Sequence, residues 1–85
     1  MKAIALELAP MGTRANCINP GMIETNLFQN SPIGVDNLDQ DKMRYPLKRY
    51  GKPEEVANVA VFLLSDATLW ITGSSMLIDG GYTLQ

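Results

Sequence analysis

"TRANCINPG", Thr13 to Gly21, is the stretch that decides how the rest of the chain is read. Thr13–Asn19 has the length of a short strand. It is too rich in small and apolar residues for a clean solvent-facing alternation. That composition suits a strand covered on both faces, as in a parallel sheet. Pro20 fixes φ and removes an N–H, Gly21 permits φ > 0, and together they end the run. A hydroxyl follows at Thr25, and an apolar stretch resumes at Leu27 and Phe28. Two local readings are open. The Pro-Gly pair is simple punctuation, or it lets backbone approach a ligand that Thr25 then hydrogen-bonds.

Upstream, "MKAIALELAPMG" reads as helix. Ile4 and Leu8 are spaced i, i+4 with Ala5 and Ala9 beside them, and Pro10 and Gly12 stop the helix. Its start carries no Ser, Thr, Asp or Asn cap, so the chain is expected to be cut from a longer one. Downstream, residues 22–52 form a long irregular region, with helical turns expected at 26–29 and 38–44. A connection of this length in a compact domain is a lid, a binding loop or disordered.

"GKPEEVANVAVFLLSD", Gly51 to Asp66, is the clearest helix. Pro53 suits its first position, and Glu54 and Glu55 suit the positive end of the macrodipole. The two glutamates invite an acid/base reading, but adjacent residues point in different directions on a helix, which favours capping. Val56, Val59, Ala60 and Leu63 form one apolar stripe, and Ala57, Val61 and Leu64 a second. Such a helix must be buried on more than one side, by a sheet and by either the missing part of the fold or another subunit. Gly73 turns the chain, Ser74–Ile78 is a second strand, and Asp79-Gly80-Gly81 closes it, with Asp79 expected to bond backbone N–H groups. The order helix, strand, long crossover with helix, strand is the tail of an α/β layer fold with parallel strands. Two parallel strands do not make a stable sheet in water, so the chain describes part of a domain.

Composition narrows the function. The chain has 85 residues, a net charge of −2, one cysteine and no histidine. No basic patch suggests nucleic acid or an anionic membrane, and Lys48, Arg49 and Lys52 read as a solvated face. Cys17 reads as a buried structural thiol, with no histidine to activate it and no cluster to hold zinc. No apolar run reaches the ~18 residues of a membrane span, and Glu7 spoils the N-terminus as a signal peptide. A reduced, cytoplasmic compartment is expected.

Four stretches together, "ALELAPMGTRANCINPG", "MIET", "PLKRYGKPEEVANVAVFLLSD" and "ITGSSMLIDGG", resemble the C-terminal part of the short-chain dehydrogenase/reductase family. The similarity is greatest to its bacterial 3-oxoacyl-carrier-protein reductase-like members. The resemblance covers essentially the whole chain. It implies an α/β fold: the C-terminal portion of a Rossmann-type doubly wound parallel sheet whose first part is missing. Residues 1–85 would be a fragment of one NAD(P)-binding domain, with 22–52 as substrate loop or lid. It implies NAD or NADP as cofactor in the parent. Pro20 and Gly21 would shape the turn, the Ile23 backbone would bond the nicotinamide carboxamide, and Thr25 the carboxamide or pyrophosphate. Leu27, Phe28, Met43 and Tyr45 would line the substrate lid. The helix at 54–65 and the last strand would form a dimer or tetramer interface.

Several family parts have no counterpart here. The Gly-rich phosphate loop, the catalytic Ser and the Tyr-x-x-x-Lys pair are absent from the sequence. Tyr45, Tyr50 and Tyr82 lack that spacing, Tyr45 to Lys48 being one residue short. No catalytic residue and no metal ligand is therefore expected within the chain. The resemblance implies an oxidoreductase passing hydride between nicotinamide and a small carbonyl or alcohol substrate. This chain would supply the nicotinamide-side loop, the lid and the interface, and alone would be inactive. The alternative is a non-catalytic assembly module that pairs with another chain through its apolar helix.

Overall fold

A computed structural model describes residues 1–24 and 35–85. Helix α1, Lys2–Leu8, runs into a 3-10 turn, Ala9–Met11, and stops at Gly12 (φ +74°). Strand β1 is Cys17–Pro20, helix α2 is Val35–Lys42, helix α3 is Pro53–Leu64, strand β2 is Ser75–Ile78, and a C-terminal turn spans Tyr82–Leu84. The two strands pair in parallel, from Cys17 opposite Ser75 to Pro20 opposite Ile78. This is the expected α/β order. The helical turn expected at 38–44 is an α-helix that begins earlier, and the turn expected at 26–29 lies outside the described residues.

Strand β1 is shorter than the expected Thr13–Asn19, and side chains are the reason. The Ala15 N–H donates to Thr72 Oγ1 at 3.1 Å. Asn16 Nδ2 donates to the Ile71 carbonyl, and Asn16 Oδ1 accepts from the Ser74 N–H. The Gly73 N–H still donates to the Ala15 carbonyl at 2.8 Å, but side-chain groups of Thr72 and Asn16 take the neighbouring positions and interrupt the regular ladder. The ladder begins one residue later, with the Cys17 N–H on the Ser74 carbonyl at 2.8 Å. The Cys17 thiol itself is half-buried rather than buried, because the short strand leaves its face incompletely covered.

Pro20 is compatible with the strand for a geometric reason. The N–H groups of Cys17 and Gly21 both donate toward β2. Alternate residues face opposite edges, so the N–H that Pro20 lacks would point away from β2. Its absence removes nothing from this ladder.

Arg14 ties the helix to the sheet. Its guanidinium donates to the carbonyls of Leu63 at 2.9 Å and Ile71 at 3.1 Å, and lies 3.5 Å from that of Ser65. Thr68, only 2% exposed, also donates its hydroxyl to the Leu63 carbonyl. Helix α3 buries Leu63 beside β1, while Val61 is 67% and Leu64 83% exposed. The second apolar stripe is therefore uncovered. Trp70 is 99% exposed at the turn before β2. Among the described residues, β1 is paired on one side only, and no helix is long and apolar enough to cross a membrane.

These surfaces carry an expected outcome. A free strand edge and an uncovered apolar helix face invite association. The isolated 85-residue polypeptide should scatter light above its monomer mass and bind a hydrophobic dye. A monodisperse monomer with a cooperative thermal transition would contradict this.

Candidate functional site

The carboxyl ends of the two strands meet at a close contact. The Gly21 N–H donates to the Ile78 carbonyl at 2.9 Å. A Cβ on Gly21 would lie 2.8 Å from Asp79 Cβ and 3.0 Å from its Cα. Glycine is required there because two backbones touch. Asp79 is fixed in turn, accepting from the N–H groups of Gly81 and Thr83 and from the Thr83 hydroxyl. The Thr83 hydroxyl, with the two backbone bonds, holds its carboxyl below the ordinary carboxylate range.

Beyond Gly21 the chain is caught by a second segment. Ile23 forms an isolated parallel bridge with Gly51. The Glu24 N–H donates to the Gly51 carbonyl at 2.8 Å, and the Gly51 N–H donates to the Met22 carbonyl at 3.0 Å. In this pattern Met22 and Glu24 present their groups to Gly51. The N–H and C=O of Ile23 itself point to the opposite side. A Cβ on Gly51 would sit 2.9 Å from Ile23 Cδ1, the end of a side chain, while the nearest backbone atom, the Met22 carbonyl oxygen, lies at 3.8 Å; the Ile23 side chain packs over Gly51.

The Gly51 segment is held by one carboxylate. Arg49 Nη1 donates to Glu55 Oε1 at 2.6 Å and Nη2 to Oε2 at 2.9 Å. Glu55 Oε1 also accepts from the Lys52 N–H at 2.9 Å, one half of a capping box at the start of α3. Arg49, then the Lys52 N–H, pull the Glu55 pKa down to about 2.

Nearby, Tyr45 packs edge-on against Tyr50 at 5.6 Å between ring centroids and tilted against Tyr82 at 4.7 Å. Tyr50 donates its hydroxyl to Asp41 Oδ2. Arg44 bridges Asp41 Oδ1 and the Tyr82 hydroxyl. Burial, then the Asp41 bond, push the Tyr50 phenol up to about 12, and burial raises Tyr45 as well.

The sequence-predicted residues fall as follows. Pro20, Gly21 and Ile23 lie in one continuous segment at the carboxyl ends of the strands. Thr25, Leu27 and Phe28 lie outside the described residues. Of the residues expected in a lid, Met43 is exposed and Tyr45 is buried in the aromatic cluster; Tyr45, Met22, Leu47 and Ile78 border one cleft. Sequence reading passed over Arg14, Gly51 and Asp41. A lone cation at the start of an apolar strand was the available signal for Arg14. Gly51, set between an aromatic residue and the start of a helix, carried a weaker one.

Three comparisons bear on this arrangement. A family model described as enoyl-(acyl carrier protein) reductase matches residues 1–83. The NAD-dependent glycerol dehydrogenase of Listeria innocua is 43% identical over 84 residues, covering 99% of this chain and 33% of that protein. The 3-oxoacyl-(acyl-carrier-protein) reductase of Buchnera aphidicola is 39% identical over 80 residues, covering 94% and 32%. The crystal structure of a short chain dehydrogenase family protein from Francisella tularensis superposes with a TM-score of 0.86 at 40% identity, covering 99% of this chain and 38% of that one. The chain thus spans about a third of the length of the curated relatives it matches.

Glu55 gives a pH dependence with a definite sign. Its folded pKa of about 2 lies below the ordinary 4.5, so its contribution is present above about pH 4.5 and is lost as pH falls toward 2. Between those limits the unfolding midpoint of the full-length protein should fall more steeply than that of its Glu55→Gln variant. Parallel curves would refute the ion pair as a source of acid sensitivity.

Proposed function

The chain belongs to the short-chain dehydrogenase/reductase family, and on that footing we propose that it is the nicotinamide-side part of an NAD- or NADP-dependent oxidoreductase. The substrate class is a small molecule with a carbonyl or alcohol carbon, the class that a glycerol dehydrogenase and an oxoacyl reductase share. The observation that carries the reading is the Ile23 peptide. Its N–H and C=O turn away from Gly51 and offer a donor and an acceptor side by side. A carboxamide needs that pair. Backbone supplies it without ordering a flexible side chain. The segment also lies beyond the carboxyl ends of parallel strands, where open α/β sheets bind ligands.

When bound, the nicotinamide supplies or takes up hydride. In our reading Ile23 orients its amide, and Pro20 with Gly21 sets the turn that aims Ile23. The Thr25 hydroxyl adds a bond to the carboxamide or the pyrophosphate. Leu27, Phe28, Met43 and Tyr45 belong to the substrate side. The helix at 53–64 and β2 serve a homo-oligomer interface, in a cytoplasmic enzyme. The uncovered apolar face of α3 also favours a second reading, a non-catalytic module that pairs with another chain.

Two experiments test the proposal. The isolated chain should show no turnover of carbonyls or alcohols with NAD(P)H or NAD(P)+, because the phosphate loop and Tyr-x-x-x-Lys pair are not in it. Turnover above a no-protein control, in a preparation free of host reductases, would overturn that statement. In the full-length protein, Thr25→Val should weaken cofactor binding roughly 2- to 150-fold, the span from a neutral to a phosphate hydrogen bond. If Thr25 only caps a helical turn, the variant loses about 1 kcal/mol of stability with cofactor affinity unchanged.

A further inference from the structure

We propose that Glu55 is a positioning residue for the cofactor, acting through Gly51 on the Ile23 peptide. This rests on the reading of Ile23 as the carboxamide-facing group. The chain of contacts is short and entirely polar. Glu55 accepts both terminal nitrogens of Arg49 and the N–H of Lys52. Those two residues flank Tyr50 and Gly51. One carboxylate therefore clamps both ends of a four-residue segment and fixes the orientation of the Gly51 peptide groups.

Arg49 also donates to the Tyr50 carbonyl at 3.1 Å, and the buried Tyr50 ring is held by Asp41. The segment has little freedom to rotate while the clamp is intact. Gly51 then grips Met22 and Glu24 with its own N–H and C=O. In an extended chain, fixing the two neighbours of a residue fixes the direction of its own peptide groups. The Ile23 donor and acceptor are aimed by a carboxylate whose own hydrogen bonds go to Arg49 and Lys52.

A role confined to helix capping would end at Lys52. The bidentate geometry to Arg49 is what extends it, because it reaches across the segment that carries Gly51. Ordinary surface ion pairs contribute little. This one acts by fixing a conformation, so its effect should appear in affinity as well as in melting temperature.

The test uses the full-length protein and two readouts independent of turnover. NADH and NADPH are titrated separately by fluorescence, well below the melting temperature, into the unaltered protein, Glu55→Ala and Glu55→Gln. Amide hydrogen exchange is followed at Ile23, Glu24 and Gly51. In the unaltered protein, cofactor should slow exchange at Ile23. In cofactor-free Glu55→Ala, exchange should quicken at Glu24 and Gly51, and the cofactor Kd should rise roughly 2- to 13-fold, the worth of one neutral hydrogen bond. Glu55→Gln keeps an oxygen for the Lys52 N–H and should fall between; if Glu55→Ala does not fold, the same comparison is read from Glu55→Gln. Cofactor that leaves Ile23 exchange unchanged overturns the carboxamide reading and this inference with it. Slowed Ile23 exchange together with an unchanged Kd in the variants overturns the inference alone.

Discussion

One guanidinium holds the C-terminal end of this fold together. Helix α3 ends at Leu64, and the last carbonyls of any helix lack intrahelical partners. Arg14 donates to one of them, at Leu63, and to Ile71 in the turn that leads to β2. A cation at a helix C-terminus also meets the negative end of the macrodipole. Arg14 stands three residues before β1. The contact therefore holds the approach to β1 against the end of α3, and, with the Ala15 and Asn16 bonds that set where the ladder begins, it determines which residues reach the carboxyl ends of the strands. Thr68 reinforces it from the other side with a hydroxyl on the same Leu63 carbonyl.

Register at the strand ends matters because the contacts there have no slack. Gly21 lies against Asp79 at a distance that leaves no room for a Cβ, and Gly51 is covered by the end of the Ile23 side chain. Close backbone approach at Gly21 and the two backbone hydrogen bonds at Gly51 turn a loop after a strand into a shelf. The shelf is built from main-chain groups, whose positions follow from the register and not from rotamer choice. Asp79 contributes by closing its own turn on Gly81 and Thr83, which keeps β2 from shifting beneath Gly21.

Local chemistry was legible in the sequence, and long-range chemistry was not. The stripe in α3, the stop at Pro10 and Gly12, and the Asp79 turn depend on neighbours within a few residues, and each formed where it was expected. The strand start at Cys17 depended on Asn16 and Ala15 finding partners at Ile71, Thr72 and Ser74, more than fifty residues away. No local pattern announces such a bond. Pro20, Gly21 and Ile23 were singled out because Pro-Gly after a strand is conspicuous. Gly51 was not, because its role exists only opposite Ile23. Glu55 was read as a helix-start residue, which it is, while its reach to Arg49 needed the fold to show it.

Trp70 has a use that follows from its place alone. It is the sole tryptophan in the sequence and is almost completely solvated beside the exposed Leu69. Its indole is a built-in optical reporter for this corner of the molecule. Emission from indole in water is red-shifted, and contact with apolar surface moves it to the blue. Whatever covers the corner in a larger assembly therefore writes its arrival into a single chromophore, with no second tryptophan in this chain to confuse the signal.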